Sequence, residues 1–462
     1  MIDTTGELLA LGLFASLCGT LMLGFPVAFT LAGTSLLFAA IGYLLGHFDP
    51  AFFLSLAPRY FGVMTSETLV AVPLFVFMGF VLERSRIAEE LLQTLGVLFG
   101  NLRGGLGYAV VLVGAVLAAS TGVVGAVVVT MSLISLPTML RAGYDPKLAT
   151  GIICASATLA QIIPPSTVLV FVADILQGVN QAAQLRLGNQ APEPVSVGDL
   201  FAGAFLPGFV LVALLLLWVA FHALVDPASC PPLALPDAER WALRRRVVVA
   251  LVFPSLLIVS VLGSILAGIA TATESASLGA SGALLFAALR GRLSLGLVRE
   301  ASLRTALTTS MIFVILLGAS VFSLVFRGLG GEALVEESLR AMPGGRIGAM
   351  AVFMAVMFVL GFFLDTFEIV FVMVPIFGPP LLVMGCDPLW LGVMIGLNLQ
   401  TSFLTPPFGA TLFYMRSAAP PAIPTGTLWR GVVVPVALQL LTLLLVWLFP
   451  ALATWLPKVV FG

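Results

Sequence analysis

The stretch LATGIICASATLAQIIPPSTVLVFVAD, residues 148–174, decides the fold. It is apolar nearly throughout, yet Gln161, Pro164, Pro165 and Ser166 interrupt its middle. Each proline lacks an N–H and clashes with the carbonyl one turn back, so a helix entering this stretch must break there. The rest of the chain says what surrounds the break. Of 462 residues, 60% are hydrophobic and 9% charged, and the apolar runs repeatedly reach the roughly 20 residues that cross a bilayer. The expected fold is an all-α polytopic membrane protein. Non-helical backbone at membrane depth is tolerated only where it is buried in protein or lines a cavity, and freed carbonyls and half-helix ends can hold ions there.

The same composition excludes other classes. A formal net charge of −1 without a long charge run argues against nucleic-acid binding. Cys18, Cys154, Cys230 and Cys386 are scattered, with neither a metal-like nor a disulfide pattern. His47 and His222 stand alone, and without an HExxH or GxSxG arrangement no enzyme is indicated. The N-terminal MIDTTGE lacks the basic flank of a cleavable signal, so the first helix is expected to remain in the mature protein.

Outward from the break, spans are expected near 7–24, 26–46 and 66–83, followed by an amphipathic segment, 86–102. Two apolar arms at 105–119 and 123–142 follow, joined by ASTGVVG, then the opening stretch, a polar connection at 176–198 and a span at 200–226. A charged link leads to a second series: 247–266, 275–289, 302–326, a surface segment at 331–342, a pair at 347–363 and 368–385, a broken span at 388–415 and a last span at 428–456. A shift of 242 residues superposes Pro137 on Pro379, Gly143 on Gly385, Asp145-Pro146 on Asp387-Pro388, and Pro164-Pro165 on Pro406-Pro407. The chain reads as an internal duplication. Five crossings plus one hairpin that returns to its own side make each repeat odd, hence the repeats inverted. With the N-terminus outside, 15 of the 21 basic residues, among them Arg84, Arg141, Lys147 and Arg244 to Arg246, fall inside, as the positive-inside rule requires.

Both breaks carry polar neighbours: Ser156, Thr158, Gln161, Ser166 and Thr167 around Pro164, and Asn398, Gln400, Thr401, Ser402, Thr405 and Gly409 around Pro406. A single break reads as a packing kink; two at matched positions with hydroxyls and amides read as an ion or substrate site. The hairpin turns point the same way, with Ser120 and Thr121 in AASTGVVG and Asp365 and Glu368 in GFFLDTFEIV. An intramembrane carboxylate is a functional candidate, although Asp365 also suits the start of a helix as an N-cap. Thr271, Thr273 and Glu274 in GIATATESASLGA read as capping chemistry, and Ser66 and Glu67 are read likewise.

The order TGVVGAVVVTMSLISLPTMLRAGYDPKLATGIICASATLAQIIPPS, GIATATESASLGA, GFFLDTFEIV and NLQTSFLTPPFGATLFYMR closely resembles the large membrane subunit, DctM, of tripartite ATP-independent periplasmic (TRAP) transporters, from about residue 5 to 455. The resemblance implies inverted repeats of the ion-transporter superfamily moving as an elevator. The first repeat would be 1–226, with scaffold helices 1–84, arm 86–102, re-entrant hairpin 104–142, broken helix 146–175 and helix 200–226. A cytoplasmic link, 227–246, precedes the second repeat, 247–462, with scaffold helices 247–326, arm 331–342, hairpin 345–385, broken helix 388–415 and helix 428–456. Co-transported sodium ions would lie among Ser156, Thr158, Gln161, Pro164, Asp365, Thr366, Asn398, Gln400, Thr401 and Pro406. An organic acid would lie near Ser120, Thr121, Ser166, Thr167, Thr405 and Gly409. The resemblance further implies a bacterial inner membrane location with both termini periplasmic, membrane lipid around the chain, and two partners. These are a small membrane subunit of the DctQ type and a periplasmic substrate-binding protein of the DctP type. The alternative is a self-sufficient divalent-anion/sodium symporter of the same architecture.

Overall fold

A computed structural model describes residues 4–85, 87–121, 124–233 and 237–462, without the side chains of residues 4, 87, 88, 93, 97, 120, 121 and 237–251. Among the described residues the regular structure is helical. The first half comprises α1 (Thr4–Met22), α2 (Val27–Leu44), α3 (Leu56–Met64), α4 (Glu67–Arg84), α5 (Ile87–Leu98), α6 (Gly105–Thr121), α7 (Val124–Arg141), α8 (Pro146–Thr158), α9 (Thr167–Arg186) and α10 (Val197–Val225). The second comprises α11 (Asp237–Leu266), α12 (Ala272–Leu289), α13 (Leu295–Gly328), α14 (Gly331–Arg340), α15 (Arg346–Leu360), α16 (Thr366–Val383), α17 (Pro388–Leu404), α18 (Ala410–Ala418), α19 (Thr425–Leu448) and α20 (Ala451–Val460). Eight of the described helices are long and apolar enough to cross a membrane, or nine if the pair Pro50–Met64 and Glu67–Arg84, bent by 49°, counts as one span. Leu44 and Leu224, each 82% exposed, are unsuited to water and suited to lipid. The chain is an all-α, multi-pass membrane protein.

Local chemistry explains the boundaries. The repeated Asp-Pro pairs both start helices: Asp145 Oδ1 accepts from the Lys147 N–H at 2.7 Å and Asp387 Oδ1 from the Trp390 N–H at 2.9 Å, with proline in the first turn, where its missing N–H is harmless. Thr271 and Glu274 form the expected capping box of α12. Hydrogen bonds from the Thr271 N–H and hydroxyl hold the Glu274 carboxyl below the usual glutamate range.

Several boundaries differ from the sequence expectation. The last span does not run 428–456: α19 ends at Leu448, and Phe449 (φ −123°, ψ 75°) leaves helical geometry before Pro450, which disfavours a helical residue ahead of it. The polar stretch after 175 is not a connection, because α9 continues to Arg186 with Val179, Asn180 and Ala183 buried on one face. Asn180 donates to the Glu193 carbonyl at 2.9 Å. The 226–246 link is helical from Asp237, and α3 with a preceding 3-10 turn, Pro50–Ser55, occupies residues where no element was expected.

The helices gather into two compact units, each drawing on both halves of the chain. One consists of Met1–Leu69, Phe171–Ser196 and Leu307–Gly392. Within it α13 crosses α2 so closely that a methyl on Gly318 would lie 2.5 Å from the Ala28 carbonyl, the small-residue packing usual in membranes. Arg186 pairs with Glu332 and Glu336, and Arg327 with Glu332. The other unit consists of Val70–Val170, Val197–Ala306 and Val393–Gly462. Its centre is α8, buried from Leu148 to Thr158, with α6, α7 and α19 packed around it. At its edge Glu90 pairs with Arg290 and Arg292, and Arg84 with Glu300.

Candidate functional site

In the α8-centred unit the opening stretch breaks as its prolines require. After Thr158 the chain makes a 3-10 turn, Leu159–Gln161, in which the Ile162 and Ile163 N–H groups both donate to the Leu159 carbonyl. The Pro164–Pro165 peptide is cis. Across the break the Ser166 hydroxyl donates to the Gln161 carbonyl at 3.0 Å, while the Ser166 carbonyl accepts from Val170 in the first turn of α9. Gln161, Pro164, Pro165, Ser166 and Thr167 are all buried.

The second break, between α17 and α18, is built differently around a cis Pro406–Pro407 bond. Thr401 Oγ1 donates to the Leu397 carbonyl and Thr405 Oγ1 to the Thr401 carbonyl, each at 2.7 Å. Such back-bonded hydroxyls, like Ser156 on the Ile152 carbonyl at 2.6 Å, commit their proton and present oxygen lone pairs outward. Gly409 closes the turn: a Cβ there would meet the Phe403 carbonyl at 2.5 Å and the Thr405 carbonyl at 2.9 Å. Backbone oxygens therefore crowd the second break.

The two broken helices meet. Thr158 and Gln400, separated by 242 residues, approach to 3.5 Å, and a methyl on Gly396 would contact Ile162 at 3.3 Å. As residue numbers rise on one helix they fall on the other, so α8 and the α17 residues beside it run antiparallel. Equivalent helices running in opposite directions is what inverted repeats require. Gly114 of α6 fits against Ser156, and Gly125 of α7 against Tyr414 of α18. Both ends of the α6–α7 hairpin lie on one side, where Tyr144 OH accepts from the Gly107 N–H at 3.4 Å. The 17 residues of α6 span about 25 Å, short of the ~30 Å hydrocarbon core.

In the other unit, α15 and α16 form a second hairpin whose base is clipped by Arg346 donating to the Gly385 carbonyl at 2.8 Å. Its tip places Asp365 at the N-cap of α16, and Glu368 accepts from the Asp365 N–H at 3.0 Å in a capping box. Glu368 and Thr366 are buried. Phe171 stacks edge-on against Phe367 and Phe371, each 5.2 Å away between ring centroids.

The structure thus brings Thr158 to Gln400 and Gln161 to Ser166, and places Ser156 under Gly114. Asn398 is buried in α17 between Gly396, which faces Ile162, and Gln400, which faces Thr158. Ser120 and Thr121 close α6, and their side chains lie outside the described residues. Two polar residues escaped the sequence reading. Gln439 of α19 donates to Thr158 Oγ1 at 2.8 Å, and Asp174 of α9 accepts from the Ser66 hydroxyl at 2.9 Å. Asp174 follows the apolar run TVLVFVA and Gln439 interrupts an apolar run of α19, a signal that could have flagged each. Ser66 also accepts weakly from the Leu69 N–H at 3.4 Å, in keeping with its expected capping role.

A family model described as "Tripartite ATP-independent periplasmic transporter, DctM component" matches residues 14–452. The C4-dicarboxylate TRAP transporter large permease protein DctM of Pseudomonas aeruginosa is 28% identical, covering 89% of this chain and 91% of that one. The sialic acid TRAP transporter large permease protein SiaM of Vibrio cholerae is 28% identical over 96% of this chain and 97% of its own. The ectoine/5-hydroxyectoine large permease protein UehC of Ruegeria pomeroyi is 26% identical over 88% and 89%. Among solved structures, the YdaH transporter of Alcanivorax borkumensis shares the fold with a TM-score of 0.61 at 15% identity, over 88% of each chain.

Proposed function

The chain belongs to the DctM component family of tripartite ATP-independent periplasmic transporters, and on that premise we propose that it is a large permease subunit carrying an organic acid anion into the cell with sodium. The observation that carries the reading is the antiparallel meeting of two helices, each interrupted further along by one of two matched proline pairs and each carrying buried hydroxyl or amide oxygens. Carbonyls and back-bonded hydroxyls near Pro164 and Pro406 suit a hard cation. The N-terminal ends of α9 and α18, at Ser166, Thr167 and Gly409, suit a carboxylate. Asp365 and Thr366 suit a cation at the tip of the second hairpin, where a carboxylate would repel an anionic substrate.

Charge explains the coupling. An organic anion entering a negative-inside cell works against about 2.3 kcal/mol per charge at 100 mV, and co-bound sodium ions that outnumber the anion's charges reverse the sign of that term. The substrate class follows from the relatives, whose names give C4-dicarboxylate, sialic acid and ectoine. The chain sits in the bacterial inner membrane with both termini periplasmic. Its hairpins and broken helices move as an elevator against scaffold helices within 1–84 and 247–326, and it works with a small DctQ-type subunit and a DctP-type binding protein.

The test is reconstitution in proteoliposomes. The cognate binding protein is first screened against carboxylates by thermal shift, and the acid it binds is used as the transported probe. Uptake is expected only when this chain, the small subunit and the loaded binding protein are all present. Robust uptake by this chain alone would support the self-sufficient symporter instead.

A further inference from the structure

Thr158 and Gln400 are equivalent residues of the two halves, so their contact lies where the duplicated helices cross, and anything bound there is bound once rather than twice. A third side chain reaches the spot from outside both breaks. The helices α8 and α19 run side by side through a glycine crossing, where a methyl on Gly151 would lie 2.2 Å from the Gly431 carbonyl. Two turns further along α19, Gln439 Nε2 donates to Thr158 Oγ1 at 2.8 Å. The Thr158 hydroxyl in turn donates to the Ala155 carbonyl at 2.9 Å. Thr158 and Gln400 are fully buried and Gln439 is 1% exposed.

Both amides direct their nitrogens at one hydroxyl, and both leave the carbonyl oxygen buried without a hydrogen-bond partner, at Gln400 Oε1 and Gln439 Oε1. A half-turn of an amide exchanges its nitrogen for its oxygen, at the loss of its bond to Thr158, so the turned state is favoured only when a cation meets the oxygens. After that turn Thr158 Oγ1, Gln400 Oε1 and Gln439 Oε1 converge as an oxygen-only set. Hard cations take such ligands. None of the three carries charge, so a divalent ion would be left uncompensated in a buried place, whereas a single positive charge is matched by the oxygen dipoles.

We propose that Thr158, Gln400 and Gln439 form one sodium site on the axis of the duplication, distinct from the ions at the two breaks, with Gln439 its ligand from outside the duplicated helices. The inference rests on the sodium-coupled reading and deepens it. It also accounts for an amide within PVALQLLTLLLVW of α19, whose other polar residue, Thr442, is back-bonded to Leu438, since a buried polar side chain in a membrane helix is a functional candidate.

The experiment is thermal unfolding of the chain purified with its small subunit, titrated with sodium chloride against choline chloride at constant ionic strength. Gln439→Leu is expected to raise the half-saturating sodium about tenfold and to lower the Hill coefficient by about one. Gln439→Glu, which adds a charge to the set, is expected to lower the half-saturating sodium about tenfold. A Gln439→Leu protein that titrates like the parent overturns the proposal. Should that variant not fold, an unchanged titration of Gln439→Glu overturns it equally. A parent protein that ignores sodium overturns the sodium-coupled reading itself and this site with it.

Discussion

At the first break Gln161, Pro164, Pro165 and Ser166 are buried, whereas at the second Thr405 and Pro406 are half-buried, Pro407 is exposed and Phe408 is 46% exposed. The two share a proline pair and a helix on each side, but they close by different means. Ser166 fastens the first by donating across it to the Gln161 carbonyl. In the second, Phe408 occupies the place equivalent to Ser166, and the turn instead closes around Gly409 with the Phe403 and Thr405 carbonyls drawn in. One duplicated device thus supplies a sealed break and an open one.

The comparison breaks most readily at Gly409. Alanine there would drive a methyl into two carbonyls, and overpacking of that kind costs about 1–3 kcal/mol. Gly409→Ala is expected to lower uptake at least about tenfold, as a misplaced site does. Gly426→Ala, at a glycine with nothing within 4 Å, should transport like the parent. Equal uptake by both variants would mean that the second break is not the ligand's route.

Asp365→Asn comes next. Asparagine caps a helix about as well as aspartate, so the start of α16 survives while the negative charge is lost. The expected outcome is a several-fold weaker sodium dependence of uptake, measured beside an unchanged melting temperature. Normal sodium dependence would leave Asp365 as a cap alone.

Accessibility sharpens the contrast directly. In a cysteine-depleted background Phe408→Cys should react readily with a maleimide and Ser166→Cys should resist. Similar labelling of the two would erase the difference between the breaks. The smallest effect is expected at Glu274, which lies outside both. Its carboxyl is held below the usual range by Thr271, so its share of stability is present above the unfolded pKa and is lost as pH falls through the lowered folded value. Glu274→Gln should leave uptake unchanged and blunt only the last part of acid destabilisation, read as melting temperature against pH.

Much of this architecture is written locally in the chain. Paired prolines must break a helix, Asp-Pro starts one, and Thr271 with Glu274 spells a capping box three residues apart. Their recurrence at one offset exposes the duplication without any knowledge of packing. What the sequence hides is tertiary. Gln439 has no partner within its own helix, and its meeting with Thr158 depends on Gly151 and Gly431 letting α8 and α19 approach. Asp174 was visible in the opening stretch, but only the packing of its helix reveals Ser66 as its partner. The extension of α9 through Gln177 and Gln184 was missed for a related reason: those polar residues flank a buried stripe that is defined by Gly378 receiving Val179.

The central claim is that the paired breaks couple sodium to the movement of an organic acid. Its most direct test is uptake by the reconstituted three-component system, with the acid held at equal concentration on both sides of the membrane. An inward sodium gradient should concentrate the acid inside the vesicles, and reversing that gradient should abolish accumulation. Accumulation that proceeds equally with sodium replaced by potassium would contradict the account.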